Sequence, residues 1–167
     1  MVSRRSVVTF TCTALLFSFS AAAFADTTDE ARKAIQIEYN KVSAAFAKKD
    51  VDGVVAHRTN DYVSINRKGQ KNVNEPSRED RIRLNKTIQS PRATAVIQEV
   101  RLLDGNTAEC LVKETTSGSY NDPQTNQKAT LSVNGTYRAL WVKQKGRWRL
   151  KQSRTITEKA TMNGQPM

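Results

Sequence analysis

Two tight-turn signals, each set between long runs of alternating apolar and polar residues, restrict this chain more than any other feature. Asp104-Gly105-Asn106 separates residues 93–103 from 107–117, and Gln144-Lys145-Gly146 separates 131–143 from 147–158. Side chains on a strand alternate between faces, and a short Gly-containing connection closes an antiparallel hairpin. These four runs are therefore predicted to be strands of one antiparallel sheet. In the third, Leu131, Val133, Tyr137, Ala139 and Trp141 share a face. In the fourth, Trp148, Leu150 and Ile156 point one way and Arg147, Arg149 and Lys151 the other. Alternation also sets Cys110 beside Ala108 and Val112, which reads as a small buried residue rather than a nucleophile, since no activating group is evident.

The preceding stretch reads as helical. Thr27-Thr28-Asp29-Glu30 is a capping box, and behind it Ala31, Ile35, Tyr39, Val42 and Phe46 recur at helical spacing. Lys48 and Lys49 suit the negative end of that helix, and Asp50 can cap a second, short helix over 51–58. Residues 61–65 read as a strand followed by the polar turn Arg67-Lys68-Gly69-Gln70. Ser77-Arg78-Glu79-Asp80 opens a third helix that carries Leu84 and Ile88 and ends at Pro91. The polar stretch 118–128 reads as a loop, and residues 160–167 as a frayed tail.

Residues 1–25 have the three parts of a secretory signal peptide. Arg4 and Arg5 supply the positive start, Val7 to Phe19 the apolar stretch, and Ala23-Phe24-Ala25 the small-x-small cleavage site. Ser3-Arg4-Arg5-Ser6-Val7-Val8 also resembles a twin-arginine export signal. Of 167 residues, 142 then remain, enough for one domain, here 26–159. The protein is expected to be periplasmic or secreted, and no later apolar run is long enough to span a bilayer. Cys12 leaves with the signal, so Cys110 has no partner for an internal disulfide. Without Arg4 and Arg5 the chain keeps 25 of its 27 Lys and Arg against 16 Asp and Glu, a net of +9. The excess falls late: residues 138–159 hold eight basic residues and one acid, Glu158. Arg147, Arg149 and Lys151 are accordingly candidates for binding an anionic envelope component. Strand alternation keeps Trp148 off their face, which argues against nucleic acid.

The order helix, short helix, strand, helix, long antiparallel sheet resembles the NTF2-like superfamily. Ala44-Ala45-Phe46-Ala47-Lys48-Lys49-Asp50-Val51-Asp52-Gly53-Val54-Val55 is similar to the first-helix exit of its SnoaL-like and DUF4440 members. Leu140-Trp141-Val142-Lys143-Gln144-Lys145-Gly146-Arg147-Trp148-Arg149-Leu150 is similar to their last hairpin. The resemblance implies an α+β cone, a curved antiparallel sheet wrapped around about three N-terminal helices, with a pocket inside. It also implies a homodimer built on the outer sheet face. It does not choose a chemistry, because such pockets serve both enzymes and binding proteins. Aligned on Asp50-Val51-Asp52-Gly53, the general base and oxyanion-hole Tyr of the ketosteroid isomerases fall at Asn66 and Val42, which can do neither job.

The expectation is an exported domain that binds a small molecule or a partner protein in its pocket, with Tyr39, Glu99 and Tyr137 as polar pocket residues. The alternative is a pocket enzyme working by acid–base chemistry through His57, Asp61 and Tyr62, His57 and Asp61 being four apart if the short helix reaches them. His57 is the only histidine, so no metal site is expected, and without a phosphate-binding Gly-rich loop no cofactor is expected either.

Overall fold

The computed structural model describes residues 27–72, 79, 82, 86–121 and 127–167. The expected signal peptide and much of the expected third helix lie outside the described residues, as do residues 122–126 of the expected 118–128 loop; the ends of that loop are instead strand, up to Asn121 on one side and from Lys128 on the other. Two helices are described, α1 (Thr28–Ala47) and α2 (Val51–Val55), where about three were expected.

Helix α1 starts at the capping box, with the Thr27 hydroxyl accepting from the Glu30 amide while Glu30 accepts from the Thr27 amide. Lys49 ends it in the left-handed region (φ 59°), and Asp50 then caps α2 by accepting from the Gly53 amide at 2.9 Å. The expected α2 was longer. It stops at Val55, and the chain enters a strand at Arg58.

Among the described residues seven strands follow: β1 (Arg58–Ile65), β2 (Lys71–Asn72), β3 (Gln89–Asp104), β4 (Thr107–Asn121), β5 (Lys128–Gln144), β6 (Arg147–Met162) and β7 (Gln165–Pro166). They form one sheet in the order β2-β1-β6-β5-β4-β3, antiparallel except for the β1–β6 pair, with β7 added beside β6. Both expected hairpins form. The β5–β6 turn has positive φ at Lys145 and Gly146, as a tight two-residue hairpin requires. The β3–β4 turn is closed by Asp104, whose Oδ1 accepts from the Asn106 amide at 2.7 Å.

The tail does not fray. Asn163 and Gly164 (φ 52° and 82°) make a further tight hairpin, and the Asn163 backbone and side chain both bond to Thr130. Asn-Gly is itself a strong hairpin signal, outweighed at the sequence level by the short run that follows it.

The core lies between α1 and the inner sheet face: Ala31, Ile35 and Tyr39 pack on Ile97, Cys110, Val112, Trp141, Trp148 and Leu150. The expected helix stripe divides in two. Its first half is core, whereas Val42 and Phe46 are only half-buried and wall a cavity.

Irregularities in the ladder decide which later residues face inward. Opposite Leu140 and Trp141, β6 carries an extra residue, Lys151; opposite Thr136 and Tyr137 it carries another, Ile156. Each β-bulge shifts the alternation by one residue and bends the strand. Ser153, Thr155 and Glu158 therefore register with Ala139, Tyr137 and Gly135 on the inner face, while Ile156 is 41% exposed, contrary to the expected phase. In β3 a bulge at Gln98 does the same to Glu99. It pairs with Leu111 and is exposed, so it does not line the pocket as expected.

Candidate functional site

Two adjoining cavities open between α1, the α2–β1 corner and the curled sheet. The inner one, about 250 Å³, has an apolar wall of Val42, Phe46, Val54 and Leu150 with Tyr39, His57 and Glu114 among the polar groups. The outer one, about 540 Å³, is bordered by Asn66, Arg67, Lys68, Tyr137 and Glu158. Arg58, Tyr62, Glu114 and Ser153 line both, so the two are contiguous.

Strand alternation along β1 turns Arg58 and Tyr62 inward and Asp61 outward. The Arg58 guanidinium stacks 4.3 Å above the Tyr62 ring. Asp61 is exposed and lies 3.6 Å from Lys151. The expected His57–Asp61 pair is therefore not formed: it needed helical spacing, and the helix ends before His57.

His57 sits in the corner between α2 and β1, 7% exposed, its ring 5.8 Å from that of Trp141. Burial, and secondarily the Arg58 charge, lower its pKa to about 4, so the imidazole is neutral at pH 7. Its Nδ1 is buried without a hydrogen-bond partner. Tyr39 is buried edge-on against Trp141, the ring centroids 5.2 Å apart, and burial holds its hydroxyl protonated. Tyr137 donates to Glu158 Oε2 at 3.0 Å, and burial followed by this carboxylate raises its pKa.

Sequence reasoning missed Glu114. It follows Cys110 and Val112 on the same face of β4, and that alternation is the signal that could have found it. Burial raises its pKa to about 7 against the opposing pull of Arg58, leaving the carboxyl close to half-protonated at neutral pH. Asn66, at the position of the isomerase base, serves structure as well: its Oδ1 accepts from the Lys68 and Gln70 amides and shapes the β1–β2 turn.

The late basic stripe is only partly free. Arg149 donates to the Ala56 carbonyl, Lys151 faces Asp61, and Arg147 is exposed. Cys110 is fully buried, and that burial raises its thiol pKa to about 12, as suits a packing role. Among the described residues no three His, Cys, Asp or Glu side chains gather as a metal site, and no helix is long and apolar enough to cross a membrane.

No family profile and no curated protein sequence matches the chain. Solved structures do. A protein of Novosphingobium aromaticivorans DSM 12444, provisionally assigned as a scytalone dehydratase, is 14% identical with a TM-score of 0.58, over 75% of this chain and 84% of its own. Hexachlorocyclohexane dehydrochlorinase LinA-type3 from Novosphingobium barchaimii LL02 is 12% identical with a TM-score of 0.52, over 82% and 90%. A Xanthomonas campestris protein provisionally assigned as a calcium/calmodulin-dependent protein kinase II association domain is 21% identical with a TM-score of 0.51, over 81% and 91%. At these identities the likeness is one of fold, and it agrees with the helix exit and last hairpin read from the sequence: the chain has the fold of the NTF2-like superfamily.

Proposed function

We propose that this is an exported protein that binds a small molecule inside its cone. One observation carries the reading: an apolar chamber opens into a polar one, and the polar side chains at their junction come from β1, β4 and β6. Ligand sites have this composition, apolar walls with a few fixed polar groups. The fluorescence of the neutral dye N-phenyl-1-naphthylamine tests it. Purified protein is expected to give a saturable enhancement at one dye per chain. Val42→Arg and Phe46→Arg are each expected to abolish it while far-ultraviolet circular dichroism stays unchanged. An absence of enhancement, or variants that bind as the parent does, would sink the proposal.

A second reading, acid–base catalysis, is favoured by Glu114, a cavity carboxyl whose pKa of about 7 suits proton transfer at neutral pH. The dehydratase and dehydrochlorinase descriptions of two structural neighbours belong to proteins with this fold. Under this reading, a small molecule released by denaturing protein purified from its own host is converted on incubation with the parent, and Glu114→Gln binds it without converting it. Under the binding reading neither protein converts it.

A further inference from the structure

A side chain is missing on the strand position paired with Glu114, a residue that lines both chambers of the proposed ligand site. Glu114 on β4, Gly135 on β5 and Glu158 on β6 form one row across the sheet, which puts the two glutamate backbones roughly 10 Å apart. Tyr137, two residues along the same face, folds its ring back over Gly135. A β-carbon at position 135 would lie 2.4 Å from the Tyr137 hydroxyl oxygen and 2.6 Å from ring carbons Cε2 and Cζ. The hydroxyl's bond to Glu158 holds the ring down in this notch. So placed, Tyr137 borders the outer chamber and stays clear of the inner one.

The two ends of the combined space differ in chemistry. The inner end is walled by Val42, Phe46, Val54 and Leu150. The outer end carries Arg67 and Lys68 on a turn fixed by Asn66, with Arg58 at the junction. The opposing acids are outnumbered by these three cations. Burial keeps Glu114 close to half-neutral at pH 7, which leaves Glu158, bonded to the Tyr137 hydroxyl, as the other acid of the lining. A body that prefers the apolar chamber thus meets a net positive rim.

We propose that the ligand is an amphipathic monoanion, its apolar body in the inner chamber and its carboxylate-type head at Arg58, Arg67 and Lys68, and that the Gly135 notch controls access by holding Tyr137 out of the passage. This rests on the ligand-site reading above. Filling the notch would push the phenol off the sheet, toward the space it borders between the chambers.

Displacement of bound N-phenyl-1-naphthylamine tests both parts. Decanoate is expected to displace the dye at a concentration at least tenfold below that of 1-decanol, with decyltrimethylammonium weaker still. Arg67→Glu combined with Lys68→Glu should erase the preference for decanoate and leave 1-decanol unaffected. Gly135→Ala should raise the decanoate concentration required at least tenfold, and Gly135→Ala/Tyr137→Ala should restore it. If Gly135→Ala loses its near-ultraviolet circular dichroism, Tyr137→Trp, which overfills the same notch, should show the same weakening. Equal displacement by the three head groups, or preference for the ammonium, overturns the anion assignment. The ligand-site reading falls separately, when the dye itself fails to bind. A Gly135→Ala protein that binds decanoate like the parent, or a double variant as weak as the single, overturns the role of the notch.

Discussion

At the scale of single residues, burial pushes two titrating groups of the cavity in opposite directions. Glu114 rises from an ordinary value near 4.5 to about 7, so its contribution to stability is full below pH 4.5 and is lost as the pH climbs through 7. His57 falls from 6.5 to about 4, so its contribution is present above pH 6.5 and is lost as the pH drops through 4. Between about pH 4.5 and 6.5 the two slopes oppose each other, and each is worth on the order of 2 kcal/mol once solvent access is allowed for. The parent is therefore expected to have a nearly flat stability profile across this window. Glu114→Gln should unmask the histidine, giving stability that rises with pH from 4 to 6.5 and exceeds that of the parent by about 2 kcal/mol at pH 8. Urea titrations at pH 4.5, 6 and 8 check this. A variant less stable than the parent at pH 8 would contradict the assignment.

At the scale of elements, α1 does more than fill the core, because it also terminates the sheet. Strand β3 is an edge, and an edge leaves backbone groups unpaired. Gln36 answers two of them at once: its Nε2 donates to the Ala95 carbonyl at 2.8 Å, and its Oε1 accepts from the Ile97 amide at 3.2 Å. Arg32 adds a bond to the Ile97 carbonyl at 3.0 Å. An amide side chain here imitates the next strand. Gln36→Ala is expected to lower stability by about 1–3 kcal/mol, the cost of part-buried groups left unmet, and to increase aggregation during refolding. Chemical denaturation and light scattering measure the two effects. Gln36→Glu should be worse in the first respect, since it sets an anionic oxygen against the Ala95 carbonyl.

What was legible in the sequence at this scale was local. The capping box, the Asp50 cap and the Gly-centred turns each act over three or four residues, and the structure contains all of them. The ladder's irregularities were not legible, because a strand read by strict alternation has no place for an extra residue. That is why Glu99 was assigned to the pocket and Ile156 to the inner face, and why Ser153, Thr155 and Glu158 were passed over. Tyr39 and Tyr137 were found because an aromatic on an apolar face is conspicuous, and His57 because it is the only histidine. Glu114 lay in plain alternation with Cys110 and Val112, but a lone acid between Lys113 and Thr115 looks like surface.

At the scale of the whole molecule, the domain begins almost where the signal peptide is proposed to end. Only Asp26 stands between the Ala25 cleavage site and Thr27, the cap of α1. Processing would release a chain whose first helix needs no further trimming. The intact mass of protein recovered from its host envelope is expected to match a chain starting at Asp26, with 142 residues and a net charge of +9. A mass retaining Arg4 and Arg5 would remove the export proposal.

The two bulges of β6 have a practical corollary for anyone redesigning this pocket. Lys151 and Ile156 are surplus to the ladder, so removing either would bring the flanking residues together without turning any of them over. Leu150, Ser153, Thr155 and Glu158 would still point inward, while the strand would lose the bend that each bulge imposes. Curvature and lining are thus encoded at different positions of the same strand, and a designer can widen or flatten the cone by single-residue deletion while leaving the chemistry of its walls in place.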